Sequence, residues 1–287
     1  MHYRYGSTSV ATTTMGNPPY HPIEFREGTE SHYRDGLFYD RRYRGRQADV
    51  RHYTALAQRH GGPVLELGVG TGRVARRVAA LGLDVVGIDG METMLERARG
   101  MLDRQPRALR KRIRLQQGDL RTLDLSKRFP LVIAPFNVFM HLYTRADIEA
   151  ALGAVKRHLA PGGRFAFDVS NPDPRVLARD PTRLYRCRPV VRPENGQRYN
   201  YSETFHYDPT TQVMHVHMIM EMPDDPQDVH ITTLSQRQFF PAELEAFLSY
   251  NGFAVESFAG DFDGAALSAT SESLVIVATL ESGSRAE

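Results

Sequence analysis

The chain has 287 residues, 41% of them hydrophobic and 24% charged, and a formal net charge of +2. Such a composition belongs to a globular protein with a core of its own, as one large domain or one domain with an elaboration, and excludes a low-complexity or fibrous chain. The charge balance is too mild to argue for a nucleic-acid partner, and a single cysteine, Cys187, excludes an intramolecular disulfide. No stretch approaches the ~18 apolar residues of a membrane span, and the first residues lack the apolar segment of a secretory leader. A cytoplasmic protein with no membrane partner is the expectation.

Residues 1–30 are rich in Ser, Thr, Gly, Pro and Tyr without a period, which predicts a flexible N-terminal arm or one that orders on binding. "LFYDRRYRGRQADVRHYTALAQRHGG" reads as a short lead-in and a helix ending at Gly61. "PVLELG" is a short buried strand, "TGRVARRVAALG" a helix closed by Gly82, and "LDVVGID" a second strand. "METMLERARGML" places Met91, Met94, Leu95, Ala98, Met101 and Leu102 at helical spacing. The Arg and Lys residues that follow it, from Arg104 to Arg114, read as a solvated helix end and loop. "IRLQQGD" and "FPLVIAPF" are further strands. "TRADIEAALGAVKRHLAPGG" is a helix with Thr144 as N-cap and Gly162 as its stop, and "RFAFDVS" is another strand.

The pattern then changes. Residues 183–192 are strand-like, and 197–207, 212–222 and 228–239 alternate between turn signals, a β-meander. Tyr199, Tyr201, Glu203, Phe205 and Tyr207 share one face; Met214, Val216, Met218, Met220 and Met222 share another. The α/β pattern resumes with the helix "PAELEAFLSYNGF" and the strands "AVESFAGDF" and "SLVIVATL". Strands separated by helices imply βαβ units. The predicted fold is α/β: a doubly wound, Rossmann-like, seven-stranded, mostly parallel sheet over 31–171 and 239–287, with an antiparallel β-meander inserted at 172–238. The insert is expected to serve as a lid, a substrate subdomain or a dimerisation surface, and its exposed edges predict a homodimer.

Gly68, Gly70 and Gly72 follow the first strand as G-x-G-x-G. This is neither the dinucleotide fingerprint, which needs its third glycine one residue later, nor a phosphate-binding loop with a following Lys. Asp89 ends the second strand, where a carboxylate can accept ribose hydroxyls, and Asp119 ends the third, within reach of an adenine. This ordered set resembles the class I S-adenosylmethionine-dependent methyltransferases. The motifs are "VLELGVGTG", "VVGID", "QGDL", "LVIAPFNVFMHL" and "LAPGGRFAFDV", spanning about residues 35–170 and resuming over 239–280. The resemblance implies S-adenosylmethionine as cofactor. It implies that Glu66 organises the loop near the methionine ammonium and that Gly68, Gly70 and Gly72 form the loop itself. Asp89 then binds ribose, Met91 packs near the adenine, and Asp119 and Leu120 lie at its edge. Ala134 and Phe136 pass under the methionine. Pro130 stands where the family often has Asp, at the start of the strand and away from the ligand.

His141 follows the fourth strand where the methyl emerges. In the amino-sugar N-methyltransferases, which the chain resembles most in style, a histidine there lies close to the acceptor. Tyr39 and Tyr43 resemble tyrosines that close over the methionine end. His141 and Tyr39 are therefore the catalytic candidates, Tyr43 joins the cofactor set, and Asn137 with His141 is assigned to the substrate. The alternative is that His141 packs the next helix, the tyrosines cover surface and Asn137 makes a turn. His215 and His217 share a strand face without a third ligand, so no metal is expected. The expected function is methyl transfer to a small-molecule acceptor, at nitrogen in preference to oxygen. An O-methyltransferase and a non-catalytic cofactor-binding module are the alternatives. No N/D-P-P-Y/F tetrapeptide or basic domain points to nucleic acid.

Overall fold

The computed structural model describes residues 27–281; most of the expected arm at residues 1–30 lies outside the described residues. The first five strands are β1 (Val64–Leu67), β2 (Val85–Asp89), β3 (Ile113–Gln117), β4 (Phe129–Ala134) and β5 (Leu159–Ser170). Then come β6 (Tyr185–Arg186), β7 (Val190–Val191), β8 (Arg198–Asp208), β9 (Val213–Met222) and β10 (Asp225–Arg237). β11 (Phe253–Ala259) and β12 (Ser273–Leu280) close the chain.

Seven strands make one sheet in the order β11-β12-β5-β4-β1-β2-β3. β1 to β5 pair in parallel, while β12 runs antiparallel to β5 and β11. Successive strand side chains point to opposite faces. Val64, Leu131 and Ile133 therefore enter one core with Tyr53, Val74 and Val78. Leu65, Leu67 and Val132 enter the other with Phe139, Phe165 and Phe167. Burial on both faces explains the near-continuous apolar runs in the sequence. Helices Ala48–His60, Arg73–Ala80, Glu92–Asp103, Arg145–His158 and Pro241–Tyr250 connect these strands or flank them. Among the described residues no helix is long and apolar enough to cross a membrane.

Two local expectations shift. The lead-in forms a separate helix, Gly36–Tyr43, whose N-cap Asp35 accepts from the N–H groups of Leu37 and Phe38. The helix capped by Thr144, through a reciprocal box with Asp147, ends at His158 rather than Gly162. Pro161 is the physical reason, since a proline drives the residue before it toward extended backbone. The chain leaves the helix directly into β5, and Gly162, at φ +72°, turns within that strand.

The second sheet has the order β10-β9-β8-β6, with β7 also on β8. The strand-like stretch 183–192 resolves into two strands of two residues each. The methionine face of β9 is packed: Met218 and Met220 are buried with Tyr199 and Tyr201, and Phe38 of the lead-in helix closes over them. On the opposite face His215 and His217 bond the hydroxyls of Ser235 (2.8 Å) and Thr233 (3.1 Å) on β10. Among the described residues no cluster of three or more His, Cys, Asp or Glu side chains has a metal-holding arrangement. The segment 27–33 lies across β10, with the Ser31 hydroxyl accepting from the Thr233 N–H at 3.3 Å. It thereby links the meander to the rim of the large sheet.

Candidate active site

A cavity of roughly 840 Å³ opens at the C-terminal ends of β1 to β4. Open α/β sheets bind ligands at this end. All three loop glycines have positive φ: +64° at Gly68, +54° at Gly70 and +75° at Gly72. A Cβ at Gly68 would stand 2.3 Å from Val138 Cγ2, so the loop and the turn after β4 are in direct contact only because that position is bare. The Asp89 carboxylate accepts from the Gly70 N–H at 2.7 Å and the Met91 N–H at 2.9 Å, tying the two motifs together. Burial raises its pKa, and those two N–H groups oppose the rise.

Glu66 lies behind the loop. It is buried, its Oε2 has no hydrogen-bond partner among the described residues, and burial pushes its pKa up to about 8 despite Arg73 and Arg76. Thr71 donates to Asp40 of the lead-in helix at 2.6 Å, and Arg97 grips the other Asp40 oxygen at 2.7 Å. Gly72 caps the helix Arg73–Ala80 from the left-handed region. Arg73 makes a bidentate pair with buried Asp49 at 2.8 and 2.6 Å. Gly72 and Glu66 thus shape the loop from behind and do not line the cavity.

On the β2–β3 side, Met91, Asp119 and Leu120 line the wall with Met94 and Gln117. Arg121 was not among the expected residues. It clasps the Asp119 carboxylate, lowering its pKa, and bonds Asp147 at 2.8 Å.

The remaining wall is aromatic. Phe136 and Asn137 both sit at φ +65°. Buried Asp168 holds this turn: its Oδ1 accepts from the Phe136 N–H at 2.7 Å and the Tyr53 hydroxyl at 2.6 Å, and its carbonyl accepts from Asn137. Burial pushes the Asp168 carboxyl up to about 6. The turn aims Phe136 at Tyr43, with ring centroids 5.0 Å apart, and Tyr43 packs on Tyr39 at 4.8 Å. Arg46 covers the Phe136 ring at 4.5 Å. Tyr39, Phe136 and His141 line the cavity. Tyr43 stands behind them, with its hydroxyl 3.0 Å from His32 Nε2. Ala134 is buried at the end of β4, and Asn137 bonds Ser170 behind the wall.

His141 ends a short 3-10 turn, Val138–His141. Its Nε2 is 2.7 Å from the Tyr33 hydroxyl, and burial lowers its pKa to about 4. Tyr33, Thr29, Glu30 and Tyr143 also line this end of the cavity. Sequence reading missed them because the 27–33 segment adjoins an aperiodic stretch and meets its partners only in the fold.

Residues 64–163 match the family described as a methyltransferase domain. A dTDP-3-amino-3,4,6-trideoxy-alpha-D-glucopyranose N,N-dimethyltransferase of Streptomyces venezuelae is 30% identical over 215 residues, 71% of this chain and 80% of that protein. The chain belongs to the class I S-adenosylmethionine-dependent methyltransferases. The methyltransferase also resembles the solved CcbJ methyltransferase of Streptomyces caelestis, with 26% identity, a TM-score of 0.70, and coverage of 82% of this chain and 90% of that one. An S-adenosylmethionine-dependent methyltransferase from Clostridium acetobutylicum shares the fold, at 15% identity and a TM-score of 0.69, over 85% of this chain and 96% of that one.

Proposed function

We propose that this methyltransferase methylates a nitrogen of a small-molecule acceptor. S-adenosylmethionine supplies, when bound, a methyl already activated on its sulfonium. What the chain must add is placement: an acceptor lone pair in line with the S–CH3 bond at roughly 3 Å. The positive-φ glycine loop and the Glu66 oxygen behind it, unpartnered among the described residues, fit the methionine half, with Glu66 near its ammonium across the loop. Asp89 keeps a second lone pair on each oxygen for ribose hydroxyls. Met91, Asp119 and Leu120 hold the adenine side. Gly70 and Phe136 flank the methionine, with Gly72, Ala134 and Tyr43 supporting them. Tyr39 and His141 line the acceptor end of the cavity, and Asn137 supports the turn that carries His141.

The carrying observation is the setting of His141, half-buried at the cavity end with its Nε2 against the Tyr33 hydroxyl. With a pKa lowered to about 4 it is a weak base. A hydroxyl acceptor needs a base to become nucleophilic, whereas a neutral amine already offers its lone pair. The activity named for the Streptomyces venezuelae relative, N,N-dimethylation of an amino sugar, supports the same reading. The test is a panel of amino sugars and other small primary amines against their hydroxyl counterparts, read by mass spectrometry. Monomethyl and dimethyl amine products are expected. Products from hydroxyl acceptors alone overturn the nitrogen reading, and tight cofactor binding without product from any acceptor points to a binding module.

A further inference from the structure

The hydrogen-bond chain around His141 fixes which of its nitrogens carries the proton. Tyr143 donates its one hydroxyl proton to the Ser235 carbonyl at 3.0 Å. The Thr29 hydroxyl, 2.5 Å away, then donates to the Tyr143 oxygen. His141 Nδ1, 3.5 Å from the Tyr143 oxygen, therefore faces an acceptor, and the Ser235 backbone supports the charged ring. The Tyr143 proton is already given to Ser235, so Nδ1 holds the proton and Nε2 holds a lone pair. Among the described residues the Tyr33 hydroxyl addresses that lone pair, at 2.7 Å, and it donates to it. Tyr33 thereby spends its proton on the imidazole and turns its oxygen lone pairs toward the cavity it lines with His141.

We propose that Tyr33, not His141, is the group that meets the acceptor. It acts as a hydrogen-bond acceptor whose orientation is set by Nδ1-protonated His141. The assignment rests on the nitrogen reading above and narrows it. Tyr33 selects an acceptor carrying an N–H, a primary or secondary amine. By taking that N–H from the side, it leaves the nitrogen lone pair pointing at the methyl. A tertiary amine has no N–H to give and is disfavoured at this position. His141 is a positioning residue that works through Tyr33. Transfer to a neutral amine creates an N–C bond, breaks the S–C bond and leaves an alkylammonium. That ion keeps its N–H···O bond to Tyr33 until it departs, and loses its proton to water. No enzymic base is required. The groups facing the His141 ring are Tyr33 and His32 from the N-terminal segment, Tyr143 beyond the 3-10 turn, and the Ser235 carbonyl of β10.

Nitrogen-15 NMR of His141 in the full chain bound to S-adenosylhomocysteine decides the tautomer without any acceptor. The expected result is a neutral ring protonated at Nδ1 from pH 5.5 to 8, with the Nε2 shift moved in Tyr33→Phe, where the lone pair loses its donor. An Nε2–H ring in the wild type would make Tyr33 a donor toward the cavity and overturn the proposal. In turnover of an amine found in the panel above, Tyr33→Phe should lose about 10- to 100-fold in kcat/KM with cofactor affinity unchanged. His141→Gln, whose amide oxygen still takes the Tyr33 proton, should keep most of the activity that His141→Leu loses. Full activity in Tyr33→Phe overturns the assignment and leaves nitrogen methylation standing. A panel without amine products removes nitrogen methylation instead, and the NMR result still decides the tautomer.

Discussion

Gly68 and Gly70 look alike in the sequence, but their surroundings differ. Both have positive φ, which costs an L-residue roughly 1 kcal/mol. A methyl at Gly70 meets Met94 Cε at 3.5 Å, ordinary contact, whereas at Gly68 it overlaps Val138. Overpacking of that kind adds about 1–3 kcal/mol. Gly68→Ala is therefore expected to be clearly less stable than Gly70→Ala in thermal denaturation, and to weaken S-adenosylmethionine binding at least tenfold in calorimetric titration. Equal destabilisation by the two variants would show that the Val138 contact does not matter. Asp168 works at the same scale on the other side of the cavity. One carboxylate oxygen sets the backbone of Phe136, and the adjoining carbonyl sets Asn137. Two consecutive non-glycine residues at positive φ are held there by a buried acid rather than by their own preferences.

The lead-in helix Gly36–Tyr43 is the element that couples the glycine loop to the meander. Its Phe38 covers the methionine and tyrosine face of β8 and β9, and its Asp40 takes Thr71 from the loop and Arg97 from the helix Glu92–Asp103. The hold on the loop thus rests on one carboxylate. Asp40→Ala removes both bonds, about 1–2 kcal/mol at a site only partly exposed. The expected consequence is roughly tenfold weaker binding of S-adenosylhomocysteine, mostly through faster release, with increased amide exchange across residues 36–43 and an intact large sheet. Unchanged affinity together with increased exchange would separate the helix from cofactor retention. The turn after β4 is the matching element opposite, because its short 3-10 segment sets Val138 against the loop and His141 against Tyr33.

At the scale of the whole molecule, the seven-stranded sheet is legible in the sequence because Val64–Leu67, Val85–Asp89 and Phe129–Ala134 are short apolar runs ended by glycine or turn residues. The glycine loop, Asp89 and Asp119 are legible because each follows a strand. The acceptor end is not, because Tyr33 and His141 are 108 residues apart and no local period encodes their meeting. Nor does any spacing reveal that the Met218 and Met220 face is covered by Phe38. The same buried groups set the pH dependence of folding. His32 and His141 fall to about 4 in the folded chain, so below pH 6.5 the unfolded chain binds more protons at these two positions and they favour higher pH. Glu66, raised to about 8, and Asp168, raised to about 6, act in the opposite sense, because the folded chain keeps protons that the unfolded one loses above about pH 4. The two effects oppose one another up to about pH 6. Above pH 6.5 the unfolded histidines lose their remaining protons, and by about pH 7.5 Glu66 alone of these four still binds more protons when folded. Its contribution to stability falls as pH rises until the folded carboxyl ionises near pH 8. The cofactor-free protein is expected to lose melting temperature between about pH 7 and 8, and Glu66→Gln to flatten that decline. Added S-adenosylhomocysteine should flatten it in the wild type too, since the positive charge of its ammonium across the loop from Glu66 favours the ionised carboxylate. A decline of equal slope in wild type and Glu66→Gln would place the titrating group elsewhere and remove the argument that Glu66 is kept neutral until the ligand arrives.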